Sequence, residues 1–375
     1  MTLTAAPSNP TAARVGVSTA PAAVPVPVGE RAGSLWRPQS NCGQGCLPGP
    51  GQTPRVSGSR QVGRMAALLG VLLLGAALVP VLPVLSRSAR QAAGRRWARA
   101  VLAAFGVTLL VRGEPPRQRA LLVANHVSWL DVVAVLAVAP ARMLAKHEVR
   151  RWPLIGPLAA RGGTLFVDRT RPRALPGTVA RVARALRSGA VVAVFPEGTT
   201  WCGVPRPAVG CGWSGRFRPA MFQAAVDARV PVVPVRLSYR AGSAGATAAP
   251  AFLAEETLLD SVRRVLSLRE LVVTVTVTAE LSVEPPADPR SVTVAARRRL
   301  AEAAEVAVRA AAGAVAGQPD TAPGVPVVPS PARAADPRRP VAAGARQVGG
   351  RGARGTAPRH HDRRRHPVRH RPADR

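Results

Sequence analysis

The stretch ANHVSWLDV (124–132) gathers Asn125, His126, Ser128 and Asp131 directly after the apolar run RALLVA (119–124). Imidazole exchanges a proton near neutral pH. A carboxylate in reach can accept its N–H, fix the tautomer and leave the other ring nitrogen to take a proton. On one continuous helix, positions five apart are separated by about 140°, and His126 and Asp131 could not meet. The pair works if a strand ends at Ala124, the chain turns at Asn125–His126 and a helix starts near Ser128. On spacing alone two readings stand level: a satisfied structural histidine beside an ordinary helix-start acid, or a general base. NHVSWLD is no G-x-S-x-G nucleophile elbow, so as a base His126 would activate a hydroxyl arriving with the substrate.

Further polar groups follow apolar runs. LFVDR supplies Asp168 and Arg169, and the planar guanidinium suits a phosphate, although a solvated strand-end Arg reads equally well. FPEGTT supplies Glu197, Gly198 and Thr199 after the most apolar strand of the chain, where an acid needs a partner. Lys146, the single lysine, and Glu148 lie in LAKHEVRRWPLIG, read as a basic turn with His147 exposed. The remaining four histidines sit in an Arg-rich tail.

The elements that must position these groups alternate. RALLVA (119–124), GGTLFVDR (162–169), AVVAVFPEG (190–198) and VPVVPVRLSY (230–239) read as strands, and LVVTVTVTAELSV (271–283) as an edge strand with one wet face. Residues 100–111 read as a helix end running into a strand. TVARVARALRSG (178–189) is an amphipathic helix with Val179, Val182, Ala183 and Leu186 on one face, and 291–317 is a long closing helix. This pattern predicts an α/β fold: a single mixed-sheet domain flanked by helices, over 99–317. No phosphate loop is present.

Residues 65–85 hold 21 positions without a charge, long enough to cross a bilayer. With their basic flank they read as a membrane anchor over 64–98, spanning or half-inserted; a signal peptide and a buried core helix are the alternatives. Residues 1–63 and 318–375, rich in Pro, Gly, Ala and Arg, read as disordered. The formal charge is +32. The segment 331–375 carries 13 Arg against 3 Asp and 1–63 carries 5 Arg against Glu30, which leaves +18 between them. A basic body wants an anionic partner such as a phospholipid surface. The four cysteines, Cys42, Cys46, Cys202 and Cys211, match no common zinc spacing and read as free thiols in a reducing compartment.

Taken together, residues 65–240 resemble the glycerolipid acyltransferases, the family of 1-acyl-glycerol-3-phosphate acyltransferase. NHVSWLD matches N-H-x-S-x-x-D, GTLFVDR matches G-x-x-F-x-D-R, FPEGT matches the third block, VPVVPV the fourth, and KHE and PLIG the elements between. The resemblance implies transfer of a fatty acyl group from acyl-CoA or acyl-carrier protein to a lysolipid hydroxyl, most simply that of 1-acyl-glycerol-3-phosphate. It makes His126 the general base and Asp131 its orienting acid. Arg169, Glu197, Gly198 and Thr199 would hold the acceptor, Phe166 and Pro231 would shape its pocket, and Lys146 would add to the phosphate site. It implies no cofactor, no metal and no acyl-enzyme. It places the enzyme at the cell membrane, its site on the cytoplasmic face, with an anionic membrane surface as partner and no specific nucleic acid. Many phosphatidic-acid-forming members read F-P-E-G-T-R-S. Here Thr200 and Trp201 occupy the Arg and Ser positions, which opens a lyso-ornithine lipid as acceptor unless Arg206, Arg216 or Arg218 substitutes. The remaining alternative is a non-enzymatic basic protein binding membrane or nucleic acid, suggested by the charge and by GGRGARG (349–355).

Overall fold

The computed structural model describes residues 38–153, 155–205, 211–212, 214–242, 245–253, 256–282 and 293–316. In chain order the elements are α1 (Gly58–Leu78), α2 (Arg87–Ala104), β1 (Val107–Arg112), β2 (Ala120–Ala124), α3 (Leu130–Val138), β3 (Ala141–Lys146), α4 (Ile155–Arg161), β4 (Leu165–Val167), α5 (Leu175–Arg187), β5 (Val191–Val194), α6 (Phe222–Ala228), β6 (Val232–Ala241), α7 (Leu258–Ser267), β7 (Leu271–Val277) and α8 (Thr293–Ala316). Among the described residues the strands form one sheet in the order β1-β7-β6-β2-β5-β3-β4. From β6 to β4 every neighbouring pair is parallel; β6 meets β7 antiparallel, and β7 meets β1 parallel. This is the expected mixed sheet flanked by helices.

The core is a two-sided one. Leu122 of β2 and Ala193 of β5 face α2, α3 and α7, packing with Leu102, Leu130 and Val265. Leu121 and Val192 face α5, α6 and α8, packing with Leu186, Phe222 and Val308. A strand covered on both faces is apolar throughout, and every residue of β2 is buried. The α5 stripe lies as its spacing predicts, with Val182, Ala183 and Leu186 buried, and Gly189 (φ +87°) follows the helix end.

Three expectations change. First, β7 is not an edge strand. It lies between β6 and β1, and its Thr274, on the face read as wet, is 4% exposed. The β1–β7 pairing joins residues more than 150 apart, which local alternation cannot reveal. Second, the part of the 1–63 lead within the described residues is packed. Val56 N–H donates to the Ser267 carbonyl at 2.9 Å, Arg269 N–H to Pro54, and Cys42 and Cys46 are buried. Residues 1–37 and 318–375, read as disordered, lie outside the described residues, as do residues 291, 292 and 317 of the expected closing helix. Third, a boundary at 98–99 falls inside α2, where Ala98, Val101 and Leu102 belong to the core.

The apolar segment is helical from Gly58 to Leu78 and then tightens into a 3-10 turn over Val79–Val84, where Pro80 and Pro83 lack the N–H groups an α-helix uses. The stretch Gly58–Val84 is long and apolar enough to cross a membrane. One side packs on α2: Gly75 abuts Trp97, whose Nε1–H donates to the Val71 carbonyl at 3.0 Å. Leu69, Leu73, Leu74, Leu78, Val81 and Val84 are exposed.

Candidate active site

Because β2, β3, β4 and β5 run parallel, the residues that follow them emerge at one sheet edge. These are His126 after β2, Lys146 ending β3, Arg169 after β4 and the Glu197–Gly198 turn after β5. In open α/β sheets this carboxyl edge is where ligands bind.

The turn at His126 is built by its neighbours. The buried Asn125 amide is clamped to β6: its Nδ2 donates to the Leu237 carbonyl at 3.0 Å, and its Oδ1 accepts from Leu237 N–H at 2.8 Å. His126 is gripped through its own backbone. Its N–H donates to Glu197 Oε2 at 2.6 Å and its carbonyl accepts from Trp201 N–H at 2.8 Å. Both partners belong to the FPEGTTW loop, so the first and third motifs are physically one unit.

Asp131, in the first turn of α3 and fully buried, receives four donors. Its Oδ2 accepts from His126 Nδ1 at 2.8 Å, Val127 N–H at 2.6 Å and Ser128 N–H at 2.8 Å; its Oδ1 accepts from the Tyr239 hydroxyl at 2.5 Å. Burial, followed by the Asp131 charge, pushes the Tyr239 phenol well above its ordinary range, so it stays a donor. With the carboxylate on Nδ1, Nε2 is the nitrogen left for chemistry. The His126 ring stacks on Phe195, centroids 3.9 Å apart and planes 8° apart, and remains 20% exposed. A stacked, tethered imidazole has little rotamer freedom left and is pre-set to accept a proton at one atom. Ser128 is fully buried, its hydroxyl accepting from Leu130 N–H, which serves the helix start and no nucleophile.

Glu197 turns inward. Only 3% exposed, its second oxygen accepts from Gly215 N–H at 3.1 Å. Burial pushes this carboxyl up to about 8, against the opposing pull of the His126 and Gly215 N–H donors. Glu197 therefore braces the His126 turn, with both oxygens turned inward to backbone N–H groups. Gly198 takes φ +75°, and a Cβ there would lie 2.5 Å from Pro38 of the lead segment. The Arg169 guanidinium donates to the Gly198 carbonyl and lies within electrostatic reach of Lys146 and Arg218. Thr199 is half-buried next in the loop, and the Thr200 hydroxyl donates to the Phe252 carbonyl.

Of the expected site residues, His126, Asp131, Arg169, Glu197, Gly198 and Thr199 thus share this edge. Phe166 sits on the edge strand β4 with Arg150 over its ring at 5.7 Å. Pro231 does not join them. Its carbonyl accepts from Leu121 N–H at the start of β2, five residues before His126, or about 16 Å along a strand. A parallel neighbour that enters beside Leu121 begins at the opposite end of the sheet from the site. Sequence reasoning missed Tyr239, Phe195 and the Trp201 N–H. Tyr239 carried a signal, being the single tyrosine of the chain at the polar end of an apolar strand. It also missed the cysteines: all four Sγ atoms lie within 4.8 Å of one another.

Residues 109–238 match the family profile described as Acyltransferase. The chain is 37% identical over 210 residues to a lyso-ornithine lipid O-acyltransferase of Pseudomonas aeruginosa, an alignment covering 54% of this chain and 78% of that protein. It is 35% identical over 179 residues to a 1-acyl-sn-glycerol-3-phosphate acyltransferase of Neisseria meningitidis, covering 47% and 67%. Among solved structures it is similar to the 1-acyl-sn-glycerophosphate acyltransferase of Thermotoga maritima, at 18% identity and a TM-score of 0.48, over 69% of this chain and 99% of that one. The chain belongs to the acyltransferase family. It is an enzyme, and the non-enzymatic reading falls away.

Proposed function

We propose that the protein transfers a fatty acyl group from an acyl thioester, acyl-CoA or acyl-carrier protein, to the hydroxyl of a lysolipid, with 1-acyl-glycerol-3-phosphate as the acceptor. The carrying observation is the His126–Asp131 pair: a partly exposed imidazole with its Nδ1 held by a four-donor carboxylate, while the neighbouring Ser128 hydroxyl is buried and engaged by Leu130 N–H. Nε2 takes the proton of the acceptor hydroxyl as its oxygen attacks the thioester carbonyl. Asp131 stabilises the imidazolium that forms. The C–S bond then breaks, and the departing thiolate recovers the proton from Nε2. One ester forms, one thioester is lost, and His126 returns to its starting state.

The phosphate acceptor is supported by Arg169 beside the Gly198 turn, which lies within electrostatic reach of Lys146 on one hand and of Arg218 on the other, with the Glu148 carboxylate near both Arg169 and Lys146. One observation favours a second acceptor, the lyso-ornithine lipid on which the P. aeruginosa relative is named to act: Thr200 stands where a guanidinium occurs in many phosphatidic-acid-forming members, and its hydroxyl is spent on Phe252. Arg206, which could substitute, lies outside the described residues. Paired assays decide. Purified enzyme given equal amounts of the two acceptors should acylate 1-acyl-glycerol-3-phosphate faster, and Arg169→Ala should slow that reaction more than the other. Faster acylation of the lyso-ornithine lipid would transfer the assignment to it.

The same reading places the enzyme on the cytoplasmic face of the cell membrane through α1, half-inserted. In support, the segments before and after α1 pack on one catalytic domain. Arg64 near its start donates to the Leu266 and Leu268 carbonyls, and Trp97 holds its middle. A single crossing would separate those segments by about 30 Å of hydrocarbon. The exposed leucine face and the basic flank instead suit an element lying in the interface.

A further inference from the structure

Within the described part of the lead segment, residues 38–57, the buried side chains are Cys42, Cys46 and Val56. So little apolar area cannot order some twenty residues by itself. Two of the three are cysteines, and they meet Cys202 and Cys211 from the loop that follows the Glu197 turn. The four side chains are 5%, 2%, 0% and 3% exposed. Cys42 Sγ lies 2.8 Å from Cys211 Sγ, which lies 3.1 Å from Cys202 Sγ, and all four sulfurs fall within 4.8 Å of one another. None of these contacts is a disulfide bond, which would be about 2.05 Å.

We propose that Cys42, Cys46, Cys202 and Cys211 form a structural metal site that binds one zinc ion in tetrahedral thiolate coordination. Four sulfurs at about 2.3 Å from a common centre are about 3.8 Å apart, a spacing inside the limit observed here. The donor set is all sulfur, which selects zinc or iron over hard cations. Cys42 and Cys46 are separated by three residues, within the short spacing of zinc knuckles. Cys202 N–H points at Cys42 Sγ at 3.2 Å, the backbone donor that supports a metal-bound thiolate. The site is closed, with no position for substrate, so its work is to hold chain. It would tie the lead segment to the loop whose Trp201 N–H holds the His126 carbonyl and whose Gly215 N–H holds Glu197. The spacing of the second pair, eight residues with Gly and Pro between, and the gap of more than 150 residues to the first hid the set from sequence reasoning.

The test is metal content of the full-length protein, purified in detergent without chelator and dialysed before elemental analysis. One zinc per chain is expected, with Cys42→Ser/Cys46→Ser and Cys202→Ser each losing it. After exchange into cobalt, the visible spectrum of a tetrahedral cobalt thiolate is expected. The wild-type measurement decides even if the variants fail to fold. Three results would overturn the proposal: folded protein without metal whose four thiols all react with a thiol reagent; non-reduced protein whose mass shows two disulfides; or iron with acid-labile sulfide in place of zinc.

Discussion

At the scale of single residues, the account rests on how Asp131 is held. Replacing Asp131 by Asn keeps the shape but removes the carboxylate that fixes the imidazole tautomer, so kcat should fall by about 10²-fold or more with KM little changed. Tyr239→Phe removes one of four donors and should cost about tenfold in kcat, roughly the worth of one charge-assisted hydrogen bond. An unchanged kcat in purified Tyr239→Phe enzyme would show that the phenol is packing only. Glu197 gives a pH signature. Its carboxyl stays protonated in the folded state up to about 8 but ionises near 4.5 when unfolded. Between those values the unfolded chain binds fewer protons, so stability contributed by this group falls as pH rises. The midpoint of thermal unfolding of the wild type, taken relative to Glu197→Gln, should therefore drop from pH 5 to pH 8; a flat difference would mean that the His126 and Gly215 N–H donors keep the carboxylate charged. His126 and Asp131 were legible because their motif is contiguous. Tyr239 and Phe195 were not, since only the β2–β6 and β2–β5 pairings bring them in.

At the scale of elements, the strands buried on both faces announced themselves as unbroken apolar runs, and α5 as a 3.6-residue stripe. What failed was order. The alternation of β7 reports a half-buried face but not which strands pair with its two edges, and β1 takes the edge away from β6 from across the sequence. The motif residue Pro231 failed for the same reason: a position near a motif in sequence can stand at the far end of a parallel strand. The anchor carries its own prediction. Changing Leu73 and Leu74, 66% and 58% exposed, to Asp should release the protein from membranes into the soluble fraction on carbonate-free fractionation. Fold should be retained, because neither side chain belongs to the core. Retention in the membrane pellet would point to a different contact surface.

At the scale of the whole molecule, a net charge of +18 lies in residues 64–330, which hold the candidate site and most of α1, and this excess supports the proposed anionic membrane surface as partner. The tail 331–375, read as disordered, lies outside the described residues. Its deletion should leave acyl transfer unchanged within about twofold while weakening binding to anionic polymers; a large loss of transfer would make the tail part of the enzyme. The central claim is that His126 takes the proton of an incoming lysolipid hydroxyl. The most direct measurement is the rate of thiol release from acyl-CoA on adding 1-acyl-glycerol-3-phosphate, comparing wild type with His126→Ala at equal folded, membrane-bound amounts. The account predicts a fall of about 10²- to 10⁴-fold. A variant that releases thiol and forms diacyl product at the wild-type rate would contradict it.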